Sequence, residues 1–522
     1  MNPLHRRGFL GTAAASTVAG AAALSLPAKS YSKVLGSNDK IGIAFLGTGG
    51  RAMESHIPII NIMIKEGKPV RVAGVCDVWD GNMEVSSSGR GLIPAAKTLN
   101  VDPDDKKLVT KNYQQLLDSK DVDVVCISTP DHWHAKMSID AMAAGKDVYC
   151  EKPMTRTIEE SHAVVDAVKK YNRVMSVGVQ SMANPIWRMA NDYIKAGNIG
   201  HIAQAQTSYY RNSLGGQWRY YKLTKDMNPK TIDWDMFLGH KYDINGTPIG
   251  PKPDQQPFDR AVYGQWRCYW PFGGGLFTDL FVHQTTHMIA AMGVRYPARV
   301  TGSGGIFLEY DERDVPDVAT VVADYDEGCQ LLITATMIND YPIEEVIRGK
   351  LGTLKFSRNK ERRMGYEIIP QNLGKGGPAV PKIKGDEQGN FVKSPLVDDG
   401  KDAKYKWMTD TYALWEDFLE CCKARKQETL SSAELGAAAF TTVNLGVQSY
   451  RQGQVMFWNK ELRKAVEGNG SWASNWEKRS KARGKPNEVM GYQGDPKGSQ
   501  LFPEAYQKLG GPWVGGNDPA GA

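Results

Sequence analysis

The turn "GTGGRA", Gly47, Thr48, Gly49, Gly50, Arg51 and Ala52, is the first stretch of this chain with the makings of a reaction centre. Gly47, Gly49 and Ala52 fall in the G-x-G-x-x-G/A spacing. The first glycine permits a tight turn, the second lets backbone approach a pyrophosphate, and the alanine keeps a helix close to a strand. Asp77 ends the following apolar run, "VRVAGVCD". A carboxylate there can accept hydrogen bonds from both hydroxyls of an adenosine ribose and would repel a 2′-phosphate, so NAD is favoured over NADP. A second group lies in "GGGLFTDLFVHQTTHMIAAMG". Asp279 and His283 are four residues apart and share one face of a presumed helix. An imidazole can take a hydroxyl proton as a hydride leaves carbon, and a nearby carboxylate can fix its tautomer and stabilise imidazolium. His287 continues the same ladder. Four ligands of suitable type do not obviously converge there, so no metal is expected.

These groups need a scaffold that brings strand ends together. Ile41–Leu46 is a nearly continuous apolar run and reads as a buried parallel strand, with a helix over residues 52–65. "VRVAGVCD", "VDVVCIST", "DVYC" and "RVMSVGVQ" are further strands, separated by helical "AKMSIDAMAAG" and "TIEESHAVVDAVKKY". Alternation of this kind predicts a doubly wound parallel sheet over residues 38–180. After Gln180, "HIAQAQTSYYR" and "VATVVADYDEGCQLLITATM" predict a largely antiparallel open sheet in an α+β domain over 181–465, with a tight turn at residues 326–328. Helices over residues 279–292, 411–423 and 432–451 would cover that sheet or dock on the first domain. Residues 466–522 form an extension rich in Gly, Pro, Lys and Asp that keeps several Trp and Tyr.

"STPDHWHA" and "CEKPMT" fall at strand carboxyl ends, where ligands of open α/β sheets lie. Together with the Asp-x-x-x-His helix they resemble the Gfo/Idh/MocA family, over roughly residues 40–458. The resemblance implies that Lys152 sits beside a nicotinamide and the reacting carbinol, with Asp279 and His283 facing it from the second domain. Lys152, held by Pro153, can donate a hydrogen bond to the reacting oxygen. Cofactor contacts are expected from Gly47, Thr48, Gly49, Gly50, Arg51, Asp77, Ser128, Thr129, Pro130, His134, Glu151 and Lys152. The family often has Gly where this helix has Phe281, so the pocket shape is its own. Aromatics are dense from Tyr209 to Trp270, and Tyr and Trp beside Arg suit sugar faces and hydroxyls. Trp133, Tyr209, Arg211, Trp218, Arg219, Trp270 and His287 are the expected substrate contacts. The resemblance also implies a homodimer or homotetramer paired through the open face of the second sheet.

Composition narrows the class. The chain has 522 residues, 41% of them hydrophobic, and a net charge of +6 from 64 basic and 58 acidic residues that are interspersed. No basic stripe suggests nucleic acid. The 7 cysteines form no Cys-x-x-Cys and read as small buried hydrophobes. Residues 1–30 contain Arg6 and Arg7, then a soft apolar stretch from Phe9 to Leu26, the pattern of a twin-arginine export signal, with a retained membrane anchor as the alternative to its removal. No later segment reads as a membrane span.

An exported enzyme meets no recycled pool of free NAD, so the cofactor must travel inside the folded protein and be restored within each cycle. The expectation is an NAD-dependent oxidoreductase acting on a secondary hydroxyl of a sugar, working outside the cytoplasm. The alternative is a redox-neutral glycosidase that oxidises, eliminates and reduces on the same scaffold, as family members do. A non-catalytic sugar-binding protein is the third reading, and intact Lys152, Asp279 and His283 argue against it.

Overall fold

The computed structural model describes residues 40–359, 363–372, 390–397, 408–466, 468 and 472–482. Residues 1–30, where a twin-arginine signal is expected, and everything beyond residue 482 lie outside these.

The first domain is built on six parallel strands: β1 (Ile41–Leu46), β2 (Val70–Cys76), β3 (Val109–Thr110), β4 (Val124–Ile127), β5 (Asp147–Glu151) and β6 (Met175–Gly178). Their spatial order is β3-β2-β1-β4-β5-β6. Every residue of β1 is buried, as a central strand covered on both faces requires. The order reverses between β1 and β4, whose last residues Leu46 and Ile127 are paired. A crevice opens at that reversal, where such sheets bind ligands.

The helix expected over residues 52–65 starts differently from its prediction. Ala52–His56 is a π-helical turn and Ile57–Lys65 is α-helical. Pro58 has no N–H to give the Glu54 carbonyl and its ring crowds that carbonyl, so the preceding turn widens.

The second domain carries a ten-stranded mixed sheet. From edge to edge it runs Phe391–Lys393, Met364–Pro370, Gly352–Arg358, Glu345–Gly349, Ile202–Ser208, Cys329–Thr336, Val318–Tyr325, Arg299–Gly305, Met456–Asn459 and Lys464–Val466. All neighbours are antiparallel except Ile202–Ser208 against Cys329–Thr336. The expected tight turn is there, with Gly328 at φ +90°. Cys329–Thr336 alternates buried and half-buried residues, the pattern of a sheet covered on one face.

Helices Phe281–Met292 and Ala433–Gln452 lie on the covered face. Gly302 and Gly446 let helix and strand approach closely, since a Cβ on Gly302 would sit 2.1 Å from the Gly446 carbonyl oxygen. Helix Thr409–Ala424 instead packs on the first domain, stacking Trp415 on Tyr149 of β5 at 4.2 Å between centroids. All seven cysteines are buried thiols. Among the described residues no helix is long and apolar enough to cross a membrane.

Candidate active site

One large cleft, about 640 Å³, runs from the β1 turn across the domain boundary. At its floor Gly47 has φ +83°, and a Cβ there would lie 2.7 Å from the Thr129 backbone nitrogen. Only glycine fits, because the β1 and β4 loops touch at this point. Gly49 is the opposite case: a Cβ would meet nothing within 4 Å, so its backbone faces open cleft. This is the space a pyrophosphate needs beside a helix N-terminus, so the turn fits NAD.

Asp77 lines the cleft, yet its carboxylate is already partly engaged. Thr48 donates its backbone N–H (2.7 Å) and hydroxyl (3.1 Å) to Oδ2, and the Trp79 N–H donates to Oδ1 (2.9 Å). Burial raises its pKa against these bonds. Oδ1 keeps a lone pair for a ribose hydroxyl. Thr48 therefore serves by orienting Asp77 and is not itself part of the cleft lining.

The reactive end is assembled from both domains. Lys152 follows β5, and its Nζ lies 2.8 Å from Oδ1 of Asp279 and 3.1 Å from the Asp279 carbonyl oxygen. Arg267 donates from Nε to the same carboxylate oxygen at 3.0 Å. Burial alone would raise the Asp279 pKa, but the Lys152 and Arg267 charges outweigh it and hold the carboxyl well below the usual range.

The expected helix from Asp279 to Met292 is broken. Asp279 ends a short helix, Gly275–Asp279, and a new one starts at Phe281 after Leu280. The two side chains therefore do not pair as a regular i, i+4 couple. Asp279 turns to the two cations, and among the described residues no hydrogen bond joins it to His283. The His283 ring instead stacks on Tyr209 at 5.6 Å. Burial, then the Lys152 charge, pushes its pKa well below that of ordinary histidine, so it is neutral at physiological pH.

Glu151 lies behind the cleft as a buried anchor. Arg51 Nε donates to its Oε1 at 2.6 Å, and the Lys152 backbone N–H donates to Oε2 at 3.1 Å. His56 Nε2 is 2.9 Å from Oε1, and Trp415 donates to His56 Nδ1 at 3.0 Å. The indole therefore leaves the His56 proton on Nε2, facing the carboxylate. Burial would raise Glu151, but the Arg51 charge and the His56 bond hold it ionised, well below its usual value. His134 also acts from behind, with ring nitrogens 2.6 and 2.8 Å from the carbonyl oxygens of Pro153 and Thr129. It ties the β4 and β5 loops together.

The other expected contacts divide. Gly50, Arg51, Ser128, Thr129, Pro130, Trp133, Tyr209, Arg211 and Trp218 all line the cleft. Arg219, Trp270 and His287 do not. Arg219 is held by Asp311, Gln265 and Tyr269. The Trp270 ring takes the Arg451 guanidinium at 5.1 Å. His287 stacks on Trp187 at 4.0 Å, and both its ring nitrogens are used, on Ser181 (3.1 Å) and Glu345 (2.7 Å). Arg267, Tyr221 and Gln284 also line the cleft and escaped the sequence reading. Of these only Arg267, among "QWRCYW", carried a visible signal: a cation in an aromatic run.

An inter-domain clasp flanks the end of the cleft that Asp77 marks. Trp79, two residues beyond Asp77, pairs with Ile232 of the second domain as an antiparallel bridge. Asp233 N–H donates to the Val78 carbonyl (2.9 Å), Asp80 N–H to the Thr231 carbonyl (3.1 Å) and Asn82 Nδ2 to Asp226 (2.8 Å). Trp79, Val85, Met227 and Ile232 form a separate apolar cluster. Arg90 packs over the Tyr221 ring at 5.0 Å and lies against Gly50.

Comparisons with known proteins agree with this architecture. Residues 41–179 match the family model described as "Oxidoreductase family, NAD-binding Rossmann fold", and residues 250–355 match "GFO/IDH/MocA C-terminal domain". Levoglucosan dehydrogenase of Pseudarthrobacter phenanthrenivorans is 38% identical over 118 residues, 22% of this chain and 30% of that one. Alpha-N-acetylgalactosaminidase of Shewanella oneidensis is 28% identical over 284 residues, 50% of this chain and 57% of that one. The chain thus spans about a third to just over half of these curated relatives. A solved levoglucosan dehydrogenase in complex with NADH and levoglucosan shares the fold at TM-score 0.54 and 19% identity, covering 80% of this chain and 99% of that one. The aldose-aldose oxidoreductase from Caulobacter crescentus does so at 0.53 and 16%, again over 80% and 99%.

Proposed function

Because the chain belongs to the Gfo/Idh/MocA family, we propose that it is an NAD-dependent oxidoreductase acting on a secondary hydroxyl of a sugar. The observation that carries this is the Lys152–Asp279 contact at 2.8 Å, next to neutral His283, in the same cleft as Gly49 and Asp77. Gly47, Gly49 and Asp77 would hold the cofactor, whose chemistry when bound is to accept and return a hydride. His283, neutral, is ready to take the hydroxyl proton on a ring nitrogen. Lys152 donates a hydrogen bond to the substrate oxygen and stabilises charge developing there. Asp279, clamped by Lys152 and Arg267, positions the lysine. It does not serve as the orienting partner of the imidazole.

The twin-arginine segment supports export of the folded, loaded protein to the periplasm or beyond. The clasp beside the Asp77 end of the cleft supports a cofactor that stays bound through each cycle. A homo-oligomer would pair through the open face of the ten-stranded sheet. A second reading, the redox-neutral glycosidase, is favoured by the relatives matched over the longer stretch, among them the alpha-N-acetylgalactosaminidase. It uses the same three side chains. Incubating the purified protein with free sugars and with aryl glycosides, without added NAD, tests both. NADH absorbance rising to one equivalent on a free sugar supports the dehydrogenase. Aglycone release over many turnovers, with no NADH accumulating, supports the glycosidase. No change with any sugar, from protein shown to contain NAD, would reject both.

A further inference from the structure

Resting on that reading, we propose that Arg211 is the specificity-determining residue of a carboxylate subsite, and that the sugar taken by this cleft is a uronate. Arg211 begins a two-residue strand, Arg211–Asn212, paired along one edge with Ile338–Asn339, which fixes its backbone. Its side chain lines the cleft together with Lys152, Asp279 and His283. Nη2 donates to the Tyr209 hydroxyl at 2.8 Å and the guanidinium lies 4.9 Å from that ring. Tyr209 in turn stacks on His283, which puts the cation one ring away from the proposed base.

The charges at this end do not cancel. Lys152 and Arg267 share one carboxylate, Asp279. Among the described residues no Asp or Glu forms an ion pair with Arg211, whose polar partner is a neutral phenol. Two other acids act on this end: Glu151, held by Arg51 and His56, and Asp131, whose pKa is raised by burial and then by the Asp279 charge. Arg211 is thus a cation of the cleft with no carboxylate paired to it, beside Lys152 and Arg267, which share Asp279. A guanidinium with free N–H groups favours a planar carboxylate, which it can meet with two parallel bonds. A neutral sugar would leave that guanidinium without a carboxylate partner.

The test compares the NAD-loaded full-length protein on methyl glucuronide and methyl glucoside, with glucose 6-sulfate as a third arm, by calorimetric binding and by turnover. The expected result is glucuronide preferred over glucoside by about 10- to 100-fold in kcat/KM, the scale of a hydrogen bond to a charged group. Arg211→Met should bring the ratio close to one, and Arg211→Lys should restore part of it, with NAD content and circular dichroism as controls of folding. Equal use of glucoside and glucuronide, or a preference that survives Arg211→Met, would overturn the subsite and leave the oxidoreductase standing. A preference for the sulfate ester over the glucuronide would overturn the carboxylate assignment. Failure of every sugar to bind or react would overturn both readings.

Discussion

Lys152 and Asp279, 127 residues apart in the chain, meet at 2.8 Å across the boundary between the two domains. The contact is strong because Asp279 is 6% exposed and holds a second cation, Arg267. It makes the distance between the parallel-sheet domain and the mixed-sheet domain part of the reaction geometry. Removing the amine should leave the fold intact, since Arg267 still neutralises Asp279. Lys152→Met is expected to lower kcat by roughly 10²- to 10³-fold, the usual loss when one donor to a developing oxyanion is removed. Single-turnover oxidation of the bound substrate measures it.

Asp279→Asn is the structural counterpart. Neutralising the carboxylate leaves Lys152 and Arg267 facing each other without a shared anion, and breaking a buried pair from one side costs about 3–5 kcal/mol. Thermal unfolding should show a clear loss. The pH dependence follows from the sign. The folded Asp279 pKa lies below an unfolded value of about 3.9, so the stabilisation is complete above that pH and drains as pH falls towards the folded value. The wild-type protein should lose stability below about pH 4 more steeply than the asparagine variant, compared by denaturant midpoints across pH.

Much of this site was legible beforehand. The glycine turn, Asp77, Lys152 and His283 each depend on local rules: a strand running into a turn, a carboxylate at the next strand's end, a short motif. Those rules survive folding because the parallel sheet puts consecutive strand ends side by side. What stayed hidden depends on tertiary partners. Arg267 finds Asp279 only because the chain breaks at Leu280 and turns the carboxylate away from His283. His287 has the right helical spacing but meets Trp187 and Glu345, which periodicity on one helix cannot reveal. Arg219 and Trp270 belong to the same aromatic run as Trp218, yet Asp311 and Arg451 claim them. The clasp is a pairing between residues more than a hundred apart, with no motif of its own.

Histidine protonation gives a second pH test. Burial lowers His283 well below its ordinary value, His162 to about 4 and His132 to about 3. Each binds its proton less readily folded than unfolded, so stability is full above about pH 6.5 and declines as pH falls through the folded values. Activity should behave differently from an ordinary histidine base: kcat/KM of the free enzyme should show no inflection near pH 6.5. An inflection there that disappears in His283→Gln would show that the imidazole titrates normally.

The two glycines of the turn should respond oppositely to alanine. Gly47→Ala forces a side chain into φ +83° and into backbone 2.7 Å away, so the protein itself should be destabilised, by about 1–3 kcal/mol. Gly49→Ala meets no protein atom within 4 Å. Its cofactor-free melting temperature should match wild type, while NAD content on denaturation should fall sharply. A Gly49→Ala protein that retains full NAD would mean that the open space beside this residue does not hold the pyrophosphate.

Cofactor exchange reads out the clasp. Trp79 and Ile232 bridge the domains over the end of the cleft that Asp77 marks, and both are almost fully buried, at 3% and 2% exposure. If this contact covers a dinucleotide seated there, opening it should speed the dinucleotide's release. Placing a charge in the apolar cluster, as in Ile232→Glu, should open it, because an unpaired buried carboxylate favours any conformation that returns it to water. Asn82→Ala removes the tie to Asp226 together with a local bond from the Glu84 N–H, leaves the apolar cluster in place, and gives a milder version. Exchange of bound NAD for isotopically labelled NAD, followed by mass spectrometry after denaturation, should accelerate in the order wild type, Asn82→Ala, Ile232→Glu, by at least tenfold at the far end. The same rate in all three proteins would mean that the dinucleotide is retained by its own contacts with the glycine turn and Asp77, and that the inter-domain bridge only sets the angle between the domains.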